Sequence, residues 1–109
     1  MVSTLAFNKQ IVYGIGVIRS FASTETQRLF GSGKSRRLPP DIQHRATKRL
    51  TQLNAATGID DLREPLSNRL EALLGSRTGQ WSIRINDQWR LCFRFEDGDA
   101  FDVEVVDCH

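Results

Sequence analysis

Between Trp81 and Val105, apolar residues recur at every second position, and this run limits the possible folds more than any other feature of the chain. Trp81, Ile83 and Ile85 alternate with Ser82 and Arg84. Trp89, Leu91, Phe93 and Phe95 alternate with Arg90, Cys92 and Arg94, and Phe101, Val103 and Val105 with Asp102 and Glu104. A period of two belongs to strands with one face buried. Asn86-Asp87-Gln88 interrupts the run with a turn, and Asp97-Gly98 interrupts it with a hairpin signal. Strands joined by such tight turns pair antiparallel. Upstream, Arg69–Leu73 reads as a further strand, followed by the turn Gly75-Ser76-Arg77-Thr78-Gly79.

The N-terminal half carries the helices. Val17-Ile18-Arg19-Ser20-Phe21 alternates and predicts a short strand. Ser23 is placed to N-cap a helix through Phe30 that stops at Gly31. Gly31-Ser32-Gly33-Lys34-Ser35-Arg36-Arg37 reads as a flexible basic loop. Pro39-Pro40-Asp41 opens a second helix, with proline tolerated in its first turn and an acid complementing its dipole. Ile42, Ala46, Leu50 and Leu53 give that helix an apolar face. The order is β-α-α-β-β-β, an α+β domain with two helices on one face of a largely antiparallel sheet. Residues 1–16 fit this pattern poorly and are expected to be a loosely attached extension, with Val17 the natural first residue of a domain spanning 17–109.

With 109 residues, 39% of them hydrophobic and 26% charged, the composition suits one globular domain with a core and argues against general disorder. No apolar run approaches the roughly 20 residues that span a bilayer. Cys92 and Cys108 are too few for a disulfide scaffold and too isolated for a zinc knuckle, so a reducing cytoplasm is expected. The net charge of +2 is unevenly distributed. Residues 1–54 carry +7 and residues 55–109 carry −5, and twelve of the fifteen basic residues are arginine. Arginine presents a planar fork of donors suited to phosphate oxygens.

Alternation places Trp81, Ile83, Trp89, Leu91, Phe93 and Val103 on the core face of the sheet and Arg84, Arg90 and Arg94 on the other. Those arginines suit a polyanion; alternatively, they pair with Asp102 and Glu104 across the sheet. The helix-2 residues Arg45, Lys48 and Arg49, with Arg36 and Arg37, are open to a polyanion, to an acidic partner or to solvent alone.

Several blocks stand in one order: Asn68-Arg69-Leu70-Glu71-Ala72-Leu73, Gly75, Arg77, Gly79-Gln80 and Ser82 through Phe93, then Gly98-Asp99-Ala100, Val103-Glu104 and Val106-Asp107-Cys108-His109. Together with Val17–Phe21 and Arg37–Ile42, they resemble the HigB (plasmid-maintenance killer) branch of the RelE/ParE toxin superfamily over roughly residues 17–109. The resemblance implies a small RelE-like toxin that cleaves messenger RNA in the ribosomal A site. It implies silencing by a HigA-like helix-turn-helix antitoxin, and contact with operator DNA only through that partner. It also implies cleavage without metal or cofactor: the ribose 2′-OH attacks the adjacent phosphate, leaving a 2′,3′-cyclic phosphate and a 5′-OH end.

Such chemistry needs a base, an acid and donors for the charged phosphorane. His109 is the acid/base candidate, with Asp107 and its own carboxylate favouring the protonated form. The resemblance puts Arg90 and Arg77 on the phosphate, with Asp107 and Cys108 in support and Arg84, Arg69, Arg94 and Glu71 toward the RNA backbone. Four positions depart from the family. Cys108 stands where a tyrosine is usual, Leu74 where a polar or basic residue is common, Ser76 where an acid is common, and Glu71 where some relatives carry histidine. An active endoribonuclease is therefore set beside two alternatives, an attenuated toxin fold that chiefly binds its antitoxin and a ParE-like gyrase inhibitor.

Overall fold

The computed structural model describes residues 16–108. The expected extension lies almost wholly outside the described residues, as does His109. From Gly16 onward the chain is fastened: Val17 N–H donates to the Asn54 carbonyl (3.0 Å) and Ile18 N–H to Asn54 Oδ1 (3.0 Å).

Two helices, α1 (Thr24–Ser32) and α2 (Pro40–Asn54), precede a four-stranded antiparallel sheet. Its strands are β1 (Glu71–Ala72), β2 (Trp81–Arg84), β3 (Trp89–Glu96) and β4 (Asp99–Asp107), and they pair in chain order. Ser23 caps α1 as expected, its Oγ accepting from Thr26 N–H (3.1 Å). The helix then runs through Gly31 and ends at Gly33, which takes the left-handed conformation (φ 81°) and donates its N–H to the Leu29 carbonyl. The stop expected at Gly31 is thus two residues early, because the left-handed residue that closes the helix is Gly33. Nor is the loop beyond it free. Gln43 Nε2 donates to the carbonyls of Ser35 (2.6 Å) and Leu38 (2.7 Å), and Ser35 N–H donates to Gln43 Oε1 (3.3 Å).

Ile42, Ala46, Leu50 and Leu53 of α2 are buried against Ile83, Leu91, Phe93 and Val103 of the sheet, with Trp81 and Trp89 half-buried at the margin. The strand expected over Arg69–Leu73 shortens to Glu71–Ala72. Arg69 sits in the left-handed region (φ 47°) and closes a 3-10 turn, and Leu74 leads into another at Gly75–Arg77.

The larger departure is in β4. Cys92 pairs with Glu104 and Arg94 with Phe101, so Phe93 opposes two residues; one of these, Asp102, has φ 54°. This β-bulge reverses the alternation on one side of it. Ala100, not Phe101, faces the core, and Phe101 shares the outer face with Arg94. Val17–Phe21 lies alongside the bulged strand and forms isolated parallel bridges, Ile18 with Ala100 and Phe21 with Val103, in place of a regular strand. Asp102 N–H, lost to the ladder, donates to Ser20 Oγ (2.9 Å).

Thr26 joins the helical layer to the sheet. It is fully buried, and its Oγ1 accepts from Val105 N–H (2.9 Å) and from Ser23 Oγ (2.7 Å). Thr26→Val keeps the shape but strands a buried N–H, and is expected to lower stability by about 1–3 kcal/mol in urea unfolding. Thr26→Ser should recover most of that loss. Equal stability of Thr26→Val and the parent would contradict this reading.

Candidate active site

Residues directly opposite one another in antiparallel strands share a face, so the register orders the open face into rows. One row is Arg84–Arg90–Val106, the next Glu71–Ser82–Cys92–Glu104, and beyond the bulge lies Arg94–Phe101.

Arg90 is the best-held cation on this face. Its Nε donates to Ser82 Oγ (2.7 Å), one terminal nitrogen donates to the Arg69 carbonyl (2.7 Å), and Glu71 Oε1 lies 3.6 Å away. Its side chain is 17% exposed, so the guanidinium is both oriented and open on one side. Arg77 reaches in from the 3-10 turn before β2, donating to Gln80 Oε1 (2.9 Å) and standing 3.6 Å from Glu104 Oε1. Between the two arginines lies Cys92. Burial pushes its thiol up to about 11, against the opposing pull of Arg77 and Arg90. At neutral pH it is an uncharged filler, not a nucleophile.

The other candidates are dispersed. Arg84 is turned to Asp87 in the β2–β3 turn, and Arg94 to Glu96 (2.7 Å), with Asp102 4.0 Å from its Nε. Arg69 contributes its carbonyl. Asp107 lies opposite Trp89, on the other side of β4 from Val106, and accepts from Gln88 Nε2 (3.1 Å). Cys108 is exposed; its N–H donates to the Gln88 carbonyl (2.7 Å) and its thiol turns back to the Val106 carbonyl. The cluster therefore unites Arg90, Arg77 and Glu71 with Ser82 and Glu104, while Asp107 and Arg94 stand apart. The expected pairing with Asp102 and Glu104 is present in altered form, Glu104 taking Arg77. Ser82 was not anticipated as Arg90's support, although its polar side chain at an outward-facing, fully buried position is the kind of residue that needs a partner.

A second basic feature borders this face. Arg45, Lys48, Arg49, Ser67, Arg84 and Ile85 line a cleft of about 250 Å³. Arg49 Nε donates to the Arg84 carbonyl (2.9 Å), and burial, then Arg45 and Arg84, holds the Arg49 guanidinium below its ordinary pKa. Among the described residues, none of Arg45, Lys48 and Arg49 has an ion-pair partner. Among the described residues, no group of three His, Cys, Asp or Glu is placed to hold a metal ion, and no helix is long and apolar enough to cross a membrane.

Cys92 and Cys108 should differ sharply in reactivity. Iodoacetamide at pH 8 is expected to modify Cys108 alone, and both thiols only after denaturation, as read by intact mass. The raised folded pKa of Cys92 stabilises the fold fully below about pH 9, and that contribution is lost as pH climbs through about 11. Equal alkylation rates in the native protein would refute the buried placement of Cys92.

Comparison with known proteins identifies the family. A protein named Endoribonuclease HigB from Proteus vulgaris is 33% identical over 93 residues, covering 85% of this chain and all of the relative. A protein named Toxin HigB-1 from Vibrio cholerae serotype O1 is 42% identical over 67 residues, 62% of this chain and 70% of the relative. The family described as RelE-like toxin of type II toxin-antitoxin system HigB matches residues 19–109. The α+β fold and this match agree, and the chain belongs to the HigB-like toxin family of type II toxin-antitoxin systems.

Proposed function

We propose that the protein is an endoribonuclease toxin that cuts messenger RNA on the ribosome in the cytoplasm and is neutralised by a HigA-like helix-turn-helix antitoxin. On this reading it meets operator DNA only through that antitoxin. The observation that carries the proposal is the three-point fixation of Arg90 beside Arg77 on an open sheet face, in a chain similar to a protein named Endoribonuclease HigB.

In the proposed reaction the scissile phosphate lies against Arg90 and Arg77, displacing the weakly held carboxylates of Glu71 and Glu104. The 2′-oxygen loses its proton to a base, forms the new P–O bond, and the bond to the 5′-oxygen breaks. The pair of arginines carries the charge of the phosphorane, and an oriented donor outperforms a mobile one because it needs no reorganisation as charge develops. His109 is assigned the proton transfer to the leaving oxygen, with Asp107 and Cys108 beside it in sequence. Arg84, Arg69 and Arg94, with the cleft of Arg45, Lys48 and Arg49, guide the RNA backbone.

Cys108 supports a second reading, an attenuated toxin whose main task is to bind its antitoxin. A short thiol cannot stack on a base, and such stacking is worth roughly 1–3 kcal/mol per base. The ParE-like alternative finds no support in a face built around one immobilised arginine.

The test is induction without antitoxin, with primer extension on cellular messenger RNA. New 5′ ends inside translated codons are expected, reduced about 10²–10³-fold by Arg90→Ala and abolished by His109→Ala, with Cys108→Tyr increasing cleavage. Intact messenger RNA and unimpaired growth, with folded protein present, would overturn the nuclease and leave the antitoxin-binding reading. Growth arrest without cleavage would point to gyrase.

A further inference from the structure

The helical layer holds a cavity that the sheet-face chemistry does not use. Arg28 in the middle and Ser32 at the end of α1, Lys34, Ser35 and Arg36 in the following loop, and Pro40 and Gln43 at the start of α2 line an open space of about 600 Å³. No acid lines it, and among the described residues Arg28, Lys34 and Arg36 form no ion pair. Three cations converging without a counter-ion repel one another, and an anion between them relieves that cost.

Ser35 supplies an independent sign. It is 94% buried (6% relative exposure), and its Oγ has no hydrogen-bond partner. Proteins seldom leave a buried hydroxyl unmet. Ser35 is among the residues that line the cavity, and its hydroxyl has a hydrogen still to donate. The main chain around it is already fixed, since Gln43 holds Ser35 by both its N–H and its carbonyl and holds the Leu38 carbonyl as well. A rigid loop loses little entropy when it closes on a ligand. The start of α2 adds partial positive charge, moderated by Asp41 in its first turn.

We propose that this cavity is a phosphate-binding site, with Ser35 Oγ as donor and Arg28, Lys34 and Arg36 as its cations. The ligand is a single phosphate group, not a nucleoside triphosphate held with magnesium. Gly33-Lys34-Ser35 has the ending of a phosphate-loop motif, but Arg28 stands where that motif needs its first glycine, and the loop joins two helices instead of a strand and a helix. The group belongs either to an RNA backbone or to a small phosphomonoester or free phosphate.

The test titrates the full-length protein with inorganic phosphate against sodium chloride at matched ionic strength and follows the melting temperature. A saturable rise with phosphate alone is expected. The half-saturating concentration should increase about tenfold in Ser35→Ala and in Arg28→Ala, the loss expected for one hydrogen bond to a charged group. It should be unchanged in Arg63→Ala, which removes a cation that pairs with Asp60 outside both sites. Ser35→Ala deletes only an unpartnered hydroxyl, so without phosphate its melting temperature should equal or exceed the parent's. Competition by a ten-nucleotide single-stranded RNA would identify the backbone as the source, and phosphate binding indifferent to RNA would identify a small phosphate; both support the site. No saturable rise, or a rise that survives Ser35→Ala and vanishes in Arg90→Ala, would overturn it. So would a Ser35-dependent shift produced by polyglutamate but not by phosphate.

Discussion

The pairing of β3 with β4 organises the rest of the molecule, and its governing detail is the residue placed in the left-handed region at Asp102. A bulge costs one ladder hydrogen bond and bends the strand. Here the freed N–H is taken up by Ser20, so the N-terminal segment is bound to the sheet by the same irregularity that interrupts it. The bulge also exchanges which residues face inward. Ala100, small enough to lie beneath Ile18, enters the core, and Phe101 moves to the face of Arg94. Below the bulge, Val103 and Val105 still point inward, and Thr26 meets Val105 N–H from α1. Helix, edge segment and sheet thus converge on a few residues of β4, which leaves the opposite face of the sheet free of helices.

On that free face, arginines stand next to carboxylates, and magnitudes decide what this means. Pairs such as Arg77–Glu104 and Arg90–Glu71 are 3.6 Å apart with at least one partner substantially exposed. Pairs of that kind contribute only about 0.2–1 kcal/mol. A phosphate bridging two guanidinium groups forms charge-assisted hydrogen bonds that are stronger than this. In the proposed function the carboxylates therefore hold the arginines in place when the face is empty and would yield to a phosphodiester. The bonds from Arg90 to Ser82 and to the Arg69 carbonyl run to neutral acceptors, so this part of its orientation does not depend on the carboxylates.

Much of the fold was legible because it rests on periodicity. The buried faces of α2 and of β2 and β3 follow from spacing alone, as does the Asp97-Gly98 hairpin, whose two residues both have positive φ. What was not legible rests on single residues whose backbone conformation depends on tertiary contact. Nothing local marks Asp102 as the bulge, and Arg69 at φ 47° becomes understandable only once its carbonyl is seen to accept from Arg90. Gly31 and Gly33 are equal as helix stops on paper. The structure chooses Gly33 because its loop is then held by Gln43, a residue of the next helix. For the candidate site, the family resemblance pointed to Arg90 and Arg77, and geometry added Ser82 as a partner of Arg90.

The uneven charge of the two halves acquires a physical meaning from these contacts. In the C-terminal half, Arg63, Arg77, Arg84, Arg90 and Arg94 each stand within ion-pair distance of an acid. Among the described residues of the N-terminal half, Arg19 and Arg37 are paired, whereas Arg28, Lys34, Arg36, Arg45, Lys48 and Arg49 are not. Arg49 is even partly desolvated among like charges, an arrangement that destabilises the folded chain when nothing offsets it. The two sets suit different tasks. Paired arginines are oriented by their carboxylates, as the proposed chemistry at the sheet face requires, whereas the unpaired cations of the helical layer suit a polyanion. On the proposed function, binding strength and catalytic geometry fall to different parts of a small domain, and the first would depend on salt far more than the second.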